Sequence, residues 1–324
     1  MQRVIALVGP TAVGKSAIAV EIAQSLGAEI VSCDSMQVYR QMTVLTQAPT
    51  HAQRVQVQHH CMDFVEPTSS FSVGEYRKIA TPSIDRLLAH GKRVLIVGGT
   101  GLYLKALTEG LCDAPPADLK IRERLWTEFQ GLGGRKLYHQ LQGVDAIAAS
   151  RIHPNDARRI IRALEVYTLT GRPISSWWQQ ASRELLHGQV TVIGMTRERE
   201  ALYRRINARL LHMVYEQGVI NEVRKLLQLP LSRTVRQVHG LTDIEQYLSG
   251  ELNLKDMIAV WQQRVRNYAR RQLIWFKRTP NIQWVTIAEE EHPWETAARV
   301  LELARKTTPL VEAGGWKLEA GQSA

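Results

Sequence analysis

Val4-Ile5-Ala6-Leu7-Val8-Gly9-Pro10-Thr11-Ala12-Val13-Gly14-Lys15-Ser16, followed by Ile18, Ile22 and Leu26, is the stretch that decides the fold. A short apolar run that stops at a glycine reads as a buried strand, and an apolar residue at every fourth position, supported by Ala19 and Ala23, reads as a helix. Between them lies G-x-x-x-x-G-K-[ST], the phosphate-binding loop or P-loop, in the strand, loop, helix context its mechanism requires. The glycines let successive backbone N–H groups turn toward phosphate oxygens, and the helix N-terminus adds a partial positive charge. Lys15 supplies a full charge to the terminal phosphate, and the Ser16 hydroxyl suits a Mg2+ ion. Gly9 to Ser16 therefore establish a di- or triphosphate site and nothing beyond it.

Working outward, Glu29 to Cys33, Val94 to Val97 and Val190 to Met195 are nearly continuous apolar or β-branched runs, and Gln283 to Ile287 adds a final strand. Continuous rather than alternating runs belong to strands covered on both faces, hence to a parallel sheet. Helical patterns lie between them: Tyr76 to His90, where Pro82 is expected to break or restart the helix, Leu202 to Met213, Val219 to Leu227, Asp256 to Lys277 and Trp294 to Lys306. This order predicts an α/β fold, a P-loop parallel-sheet core. Pro115 and Pro116 open a stretch of helical periodicity without a strand, read as a helical insertion domain. The expected organisation is core over 1–112, insertion over 113–188, core again over 189–306, and a tail over 307–324.

The chain has 324 residues, and 41 Lys and Arg against 31 Asp and Glu leave a net charge of +10, which favours a polyanionic partner such as nucleic acid. Apolar residues at 44% and charged residues at 22% exclude a disordered or fibrous chain. Cys33, Cys61 and Cys112 stand in no paired spacing, so neither a structural zinc site nor a disulfide framework is expected, and a reducing cytoplasm fits. The apolar run at Val4 is far shorter than the roughly 20 residues that span a bilayer, so no membrane association is expected.

Three further features bear on chemistry. Val94 to Val97 runs into Gly98-Gly99-Thr100-Gly101, where an NTP hydrolase would place a metal-binding acid. Asp34 instead offers a carboxylate at the end of the second strand, where parallel sheets place ligands, although a capping role is also open. A helix after His153-Pro154-Asn155, capped by Asn155 or Asp156 and ending at Thr170, sets Ile160, Leu164 and Tyr167 on one face. Arg158, Arg159 and Arg162 fall on the other, either as a solvated basic face or as a contact for RNA. Asp256 to Lys277 mixes Arg264, Arg266, Arg270, Arg271 and Lys277 with Trp261, Tyr268, Trp275 and Phe276, rings that more often pack in a core than stack on bases.

Asp34-Ser35-Met36-Gln37-Val-Tyr-Arg40, taken with the P-loop, Gly98-Gly-Thr-Gly-Leu-Tyr103, His59-His60, the His153 to Asp156 helix start, Arg162-Ala-Leu-Glu165, Thr170-Gly171 and Tyr268-Ala-Arg-Arg-Gln272 with Trp275-Phe276, resembles the tRNA dimethylallyltransferase family. The resemblance covers about residues 3 to 280. It implies transfer of a dimethylallyl group from dimethylallyl diphosphate to N6 of the adenosine on the 3′ side of a tRNA anticodon, with diphosphate leaving. Under it, Asp34 is the general base, Thr100 lies near the reacting oxygen and amine, and Arg209 joins Lys15 and a Mg2+ on Ser16 around the diphosphate. Ser35, Met36 and Gln37, with Asp34 and Thr100, meet the acceptor base. Arg122 and the segment Arg158, Arg159, Ile160, Ile161 and Arg162 contact the tRNA anticodon stem-loop. The expected enzyme is a cytoplasmic monomer. Gln41 to Ala48, Leu210 and Arg236 to Thr242 depart from the family's pattern. An adenylate-type isopentenyltransferase, an ATP-using small-molecule kinase and an RNA-binding protein with a vestigial loop remain alternatives.

Overall fold

The computed structural model describes residues 4–112, 114–179 and 190–306. In chain order the elements are β1 (Val4–Val8), α1 (Lys15–Leu26), β2 (Ala28–Ser32), α2 (His51–Gln56), β3 (His59–His60), α3 (Val73–Ala89), β4 (Arg93–Gly98) and α4 (Gly101–Thr108). Five helices follow without a strand: α5 (Leu119–Leu132), α6 (Gly134–Val144), α7 (Ala146–Arg151), α8 (Ala157–Thr170) and α9 (Ile174–Gln179). Then come β5 (Val190–Thr196), α10 (Arg199–Tyr215), α11 (Val219–Leu226), α12 (Leu241–Leu248), α13 (Leu254–Lys277), β6 (Gln283–Thr286) and α14 (Pro293–Lys306).

Every pairing is parallel, in the order β3-β2-β4-β1-β5-β6. All five residues of β1 are buried, the physical reason its sequence is continuously apolar. β1 sits between β4 and β5, with Val8 opposite Gly98 on one side and Gly194 on the other. β2 lies beyond β4, with Ser32 opposite Val97. The chain leaves β2, β4 and β1 at three adjacent carboxyl ends, and that adjacency assembles the site.

Two expectations need correction. Pro82 does not interrupt α3, which runs unbroken from a capping box of Ser72 and Glu75. Proline removes one intrahelical bond, but Pro82 and Lys78, whose carbonyl it frees, are both exposed to water, while Tyr76, Ala80, Ile84 and Leu87 bury the other face on both sides of it. The sheet also has six strands rather than five, because His59 and His60 pair with Ile30 and Val31 of β2. Two polar residues carry no periodicity that would reveal such an edge strand.

The described residues separate into two compact units, 4–108 with 190–306, and 109–179. We take these as the core and the insertion expected over 113–188; Asp113, the boundary at Gly188 and the tail 307–324 lie outside the described residues. The second unit has its own apolar core, including Leu125, Leu137, Leu141, Ile152, Ile160 and Leu164. Asp156 caps α8 through Arg159 N–H, and Gly171, with φ of 66°, ends it. No described helix is long and apolar enough to cross a membrane.

Candidate active site

The P-loop enters α1 through Gly14, whose φ of 115° a side chain would strain. Lys15 is half-buried as a residue, but its ammonium donates to the carbonyls of Gly9 and Pro10 at 2.9 and 2.7 Å. Desolvation there lowers its pKa to about 8, opposed by the charge of Asp34 and reinforced by that of Arg209. Around the loop stand three arginines. Arg209 donates to Thr11 Oγ1 at 2.7 Å, Arg205 to Ala12 O at 3.1 Å and Arg197 to Val13 O at 3.0 Å. Desolvation and the nearby Arg205 bring Arg209 down to about 10, so it stays charged at neutral pH. Its Nε is buried and has no hydrogen-bond partner among the described residues.

The end of β4 closes on the end of β2. Gly98 is needed because a Cβ there would lie 1.9 Å from Cys33 O. Thr100 N–H donates to Cys33 O at 3.2 Å, and its hydroxyl accepts from Ser35 N–H at 3.0 Å. Asp34 turns its carboxylate back to accept from Met36 N–H at 2.9 Å. The charge of Asp34 registers at Lys15, at Arg209 and at the Tyr103 and Tyr268 hydroxyls, whose pKa values burial already raises. One carboxylate, two cations and the Thr100 hydroxyl thus share one region. Burial pushes the Cys33 thiol far up, leaving it protonated and no nucleophile.

Gln37 is held inside the protein: its amide donates to Gln47 O at 3.2 Å and Thr46 O at 3.5 Å, and accepts from Ser32 Oγ at 3.4 Å. The loop it grips, within the departing stretch Gln41 to Ala48, is itself fixed by Glu222, which accepts from Val44 and Leu45 N–H at 2.9 and 2.7 Å. Gln37 is thereby tied to the 46–47 loop, and Ser35 and Met36 beside it are, like it, half-buried. On α13, Trp261 and Phe276 are core, whereas Tyr268 is half-buried, its ring centroid 4.7 Å from that of His239 with the planes tilted by 48°. Burial and then Arg271 lower the pKa of His239 to about 4, so its ring is neutral at pH 7.

The sequence reading gave no role of their own to Gln272, Arg205 and Arg197. Gln272 is buried on the α13 stripe that includes Trp261, Val265, Ala269 and Phe276. A polar residue at a core position of an amphipathic helix is the signal that could have found it. It accepts from Thr11 N–H at 2.8 Å and donates to Gly99 O at 2.9 Å.

In the second unit the expected tRNA residues divide. Ile160 and Ile161 are buried, so their side chains belong to the insertion's core and are withdrawn as tRNA contacts. Arg122 and Arg162 both bind the fully buried Glu165, at 2.9 and 2.6 Å, and Arg162 also donates to Pro115 O at 2.6 Å. They hold the insertion together from its edge, each about a third exposed at 34% and 28%. Arg158 and Arg159 are exposed on α8, Arg159 beside Asp156 at 3.3 Å.

No group of three or more His, Cys, Asp or Glu among the described residues could hold a metal ion. The Ser16 hydroxyl in the P-loop would fit Mg2+, which keeps several waters and takes its oxygens mainly from phosphate and one or two protein groups.

The IPP transferase family model matches residues 37–279, and the Isopentenyl transferase model matches 2–63. The chain is 43% identical over 286 residues to the tRNA dimethylallyltransferase of Geobacter metallireducens, covering 87% of this chain and 92% of that one. It is 38% identical over 321 residues to that of Geobacillus kaustophilus, covering 98% and 99%. Among solved structures, the full-length tRNA isopentenylpyrophosphate transferase of Bacillus halodurans matches with a TM-score of 0.68 at 34% identity, covering 94% and 96%. A eukaryotic dimethylallyltransferase solved acting on tRNA matches with a TM-score of 0.78 at 26% identity, covering 94% and 78%.

Proposed function

The chain belongs to the IPP transferase family, and from that premise we propose that it transfers the dimethylallyl group of dimethylallyl diphosphate to N6 of the adenosine on the 3′ side of a tRNA anticodon. The observation that carries this reading is the meeting of Asp34 with Lys15 and Arg209 at the carboxyl ends of β1, β2 and β4. An NTP hydrolase needs a metal-binding acid where this chain has Gly98, Gly99 and Thr100. An alkyl transfer does not, because the diphosphate leaves from carbon and no water is activated.

In the reaction the N6 lone pair forms a bond to C1 of the dimethylallyl group while the C1–O bond breaks and its electron pair leaves with the diphosphate. An exocyclic amine is a weak nucleophile, so Asp34 accepts the N6 proton during attack, a contribution of about 10² to 10⁴ in rate. Charge grows on the departing diphosphate, and the P-loop N–H groups, Lys15 and Arg209 meet it in a poorly solvated site. A diphosphate oxygen would satisfy the buried Nε of Arg209. A Mg2+ held by Ser16 and the diphosphate would supply further positive charge to the leaving group. Thr100, tied to Ser35 beside Asp34, lies next to the amine and the bridging oxygen. The acceptor base, stacked in its loop, must be splayed out to enter. Arg158 and Arg159 of the insertion supply phosphate contacts, which account for part of the basic charge. The three free thiols suit the cytoplasm.

The test uses labelled dimethylallyl diphosphate with tRNA and, separately, with AMP, beside labelled ATP with small-molecule acceptors. Label entering tRNA supports the reading. Label entering AMP would identify an adenylate-type enzyme instead, and transfer of the γ-phosphate would identify a kinase.

A further inference from the structure

We propose that Gln272 is a positioning residue that fixes the leaving-group cradle against the acceptor side of the site; this rests on the reading above. Its side chain is buried and spans the two loops that bring the substrates together, engaging the Thr11 N–H of the P-loop itself. Oε1 accepts from Thr11 N–H at 2.8 Å and Nε2 donates to Gly99 O at 2.9 Å. The contact is close enough that a Cβ on Gly99 would lie 2.3 Å from Nε2.

Both ends of the bridge continue into the chemistry. Thr11, held by Gln272 through its backbone, accepts from Arg209 through its hydroxyl at 2.7 Å. Gly99 precedes Thr100, whose hydroxyl accepts from Ser35 N–H at 3.0 Å, and Ser35 follows Asp34. One path of bonds thus joins the cation on the leaving diphosphate to the carboxylate that takes the amine's proton. A carboxamide offers an acceptor and a donor at a fixed separation within one planar group, so it sets a spacing rather than merely filling space. Loss of that spacing spoils the alignment of N6, C1 and the leaving oxygen more than it spoils the hold on either substrate, and alignment errors of about an ångström cost up to about 10²-fold in rate.

The experiment compares wild type, Q272M and Q272E by thermal denaturation, then by transfer from dimethylallyl diphosphate to tRNA between pH 6 and 8.5. Methionine keeps the volume and removes both bonds. Its kcat is expected to fall about 10- to 100-fold, with the donor KM within about threefold of wild type and a ratio to wild type that does not vary with pH. Glutamate as a carboxylate still accepts from Thr11 but sets an oxygen against Gly99 O; once protonated it donates there and restores the bridge. Burial raises such a carboxyl's pKa, so the Q272E to wild-type ratio is expected to rise at least about fivefold from pH 8.5 to pH 6. Lys15 titrates in both proteins and largely cancels from the ratio. A folded Q272M with kcat within twofold of wild type, a loss confined to KM, or a Q272E ratio flat with pH overturns the proposal while the function stands. A wild type that transfers nothing to tRNA overturns the function and the proposal with it.

Discussion

Glu165 is the residue on which the insertion's stability turns, and its removal gives a prediction with a magnitude. Its carboxylate is fully buried and accepts from Asp118 N–H at 2.7 Å, from Arg122 at 2.9 Å and from Arg162 at 2.6 Å. Removing one member of a buried charged network costs about 3–5 kcal/mol, because the partners keep their charge without its counterpart. Here the side chains of Arg122 and Arg162 retain 34% and 28% of their exposure and rehydrate in part, so the lower end applies, about 3 kcal/mol for Glu165→Ala. Glu165→Gln keeps the volume but turns an amide N–H toward one arginine, and is expected to cost about 2 kcal/mol. Urea titrations followed by fluorescence read the loss, since the insertion carries Trp126, Trp177 and Trp178. A loss under about 1 kcal/mol for Glu165→Ala is what an exposed pair would give, and would refute the structural assignment of Arg122 and Arg162.

Asp34→Asn is expected to lower kcat by about 10² to 10⁴ while leaving the affinities for donor and tRNA within a few-fold; equal loss of turnover and binding would make Asp34 a structural residue. Lys15 must be protonated to hold the diphosphate, so kcat/KM for the donor is expected to fall as pH rises through about 8, and a profile flat to pH 9.5 would contradict that role. The same lowered pKa means that the unfolded chain binds this proton more tightly than the native protein. Its contribution to stability without donor therefore rises between about pH 8 and 10.5, a slope that Lys15→Met should remove from urea titrations. Arg158→Glu with Arg159→Glu is expected to weaken tRNA binding and reduce the dependence of log affinity on log salt by one to two units, as about two phosphate contacts would. An unchanged slope would leave α8 a solvated face.

The P-loop was legible because its mechanism demands particular residues at fixed spacing between a strand and a helix. The same holds for β1, β2, β4 and β5, whose continuous apolar runs report burial on both faces. The order of the strands was not legible, yet that order sets Asp34, Thr100 and Lys15 side by side. Family resemblance could name the three, but only the parallel register of β1, β4 and β2 explains their meeting. Where the sequence reading failed, a local rule met a tertiary one. Pro82 sits on the wet side of a helix held by its other face, and an apparently basic face lost Arg162 to the buried carboxylate at position 165. Gln272 stood in the quoted motif without a role because its two bonds reach residues 261 and 173 positions away.

The claim on which the account depends is that the P-loop holds a leaving diphosphate rather than a phosphoryl group to be transferred or hydrolysed. Single-turnover quench experiments with limiting dimethylallyl diphosphate and excess enzyme and tRNA, counting both products, test it most directly. The account predicts one diphosphate released for each N6-alkylated adenosine formed, with no orthophosphate. Diphosphate released without alkylated tRNA, or orthophosphate appearing in step with turnover, would contradict it.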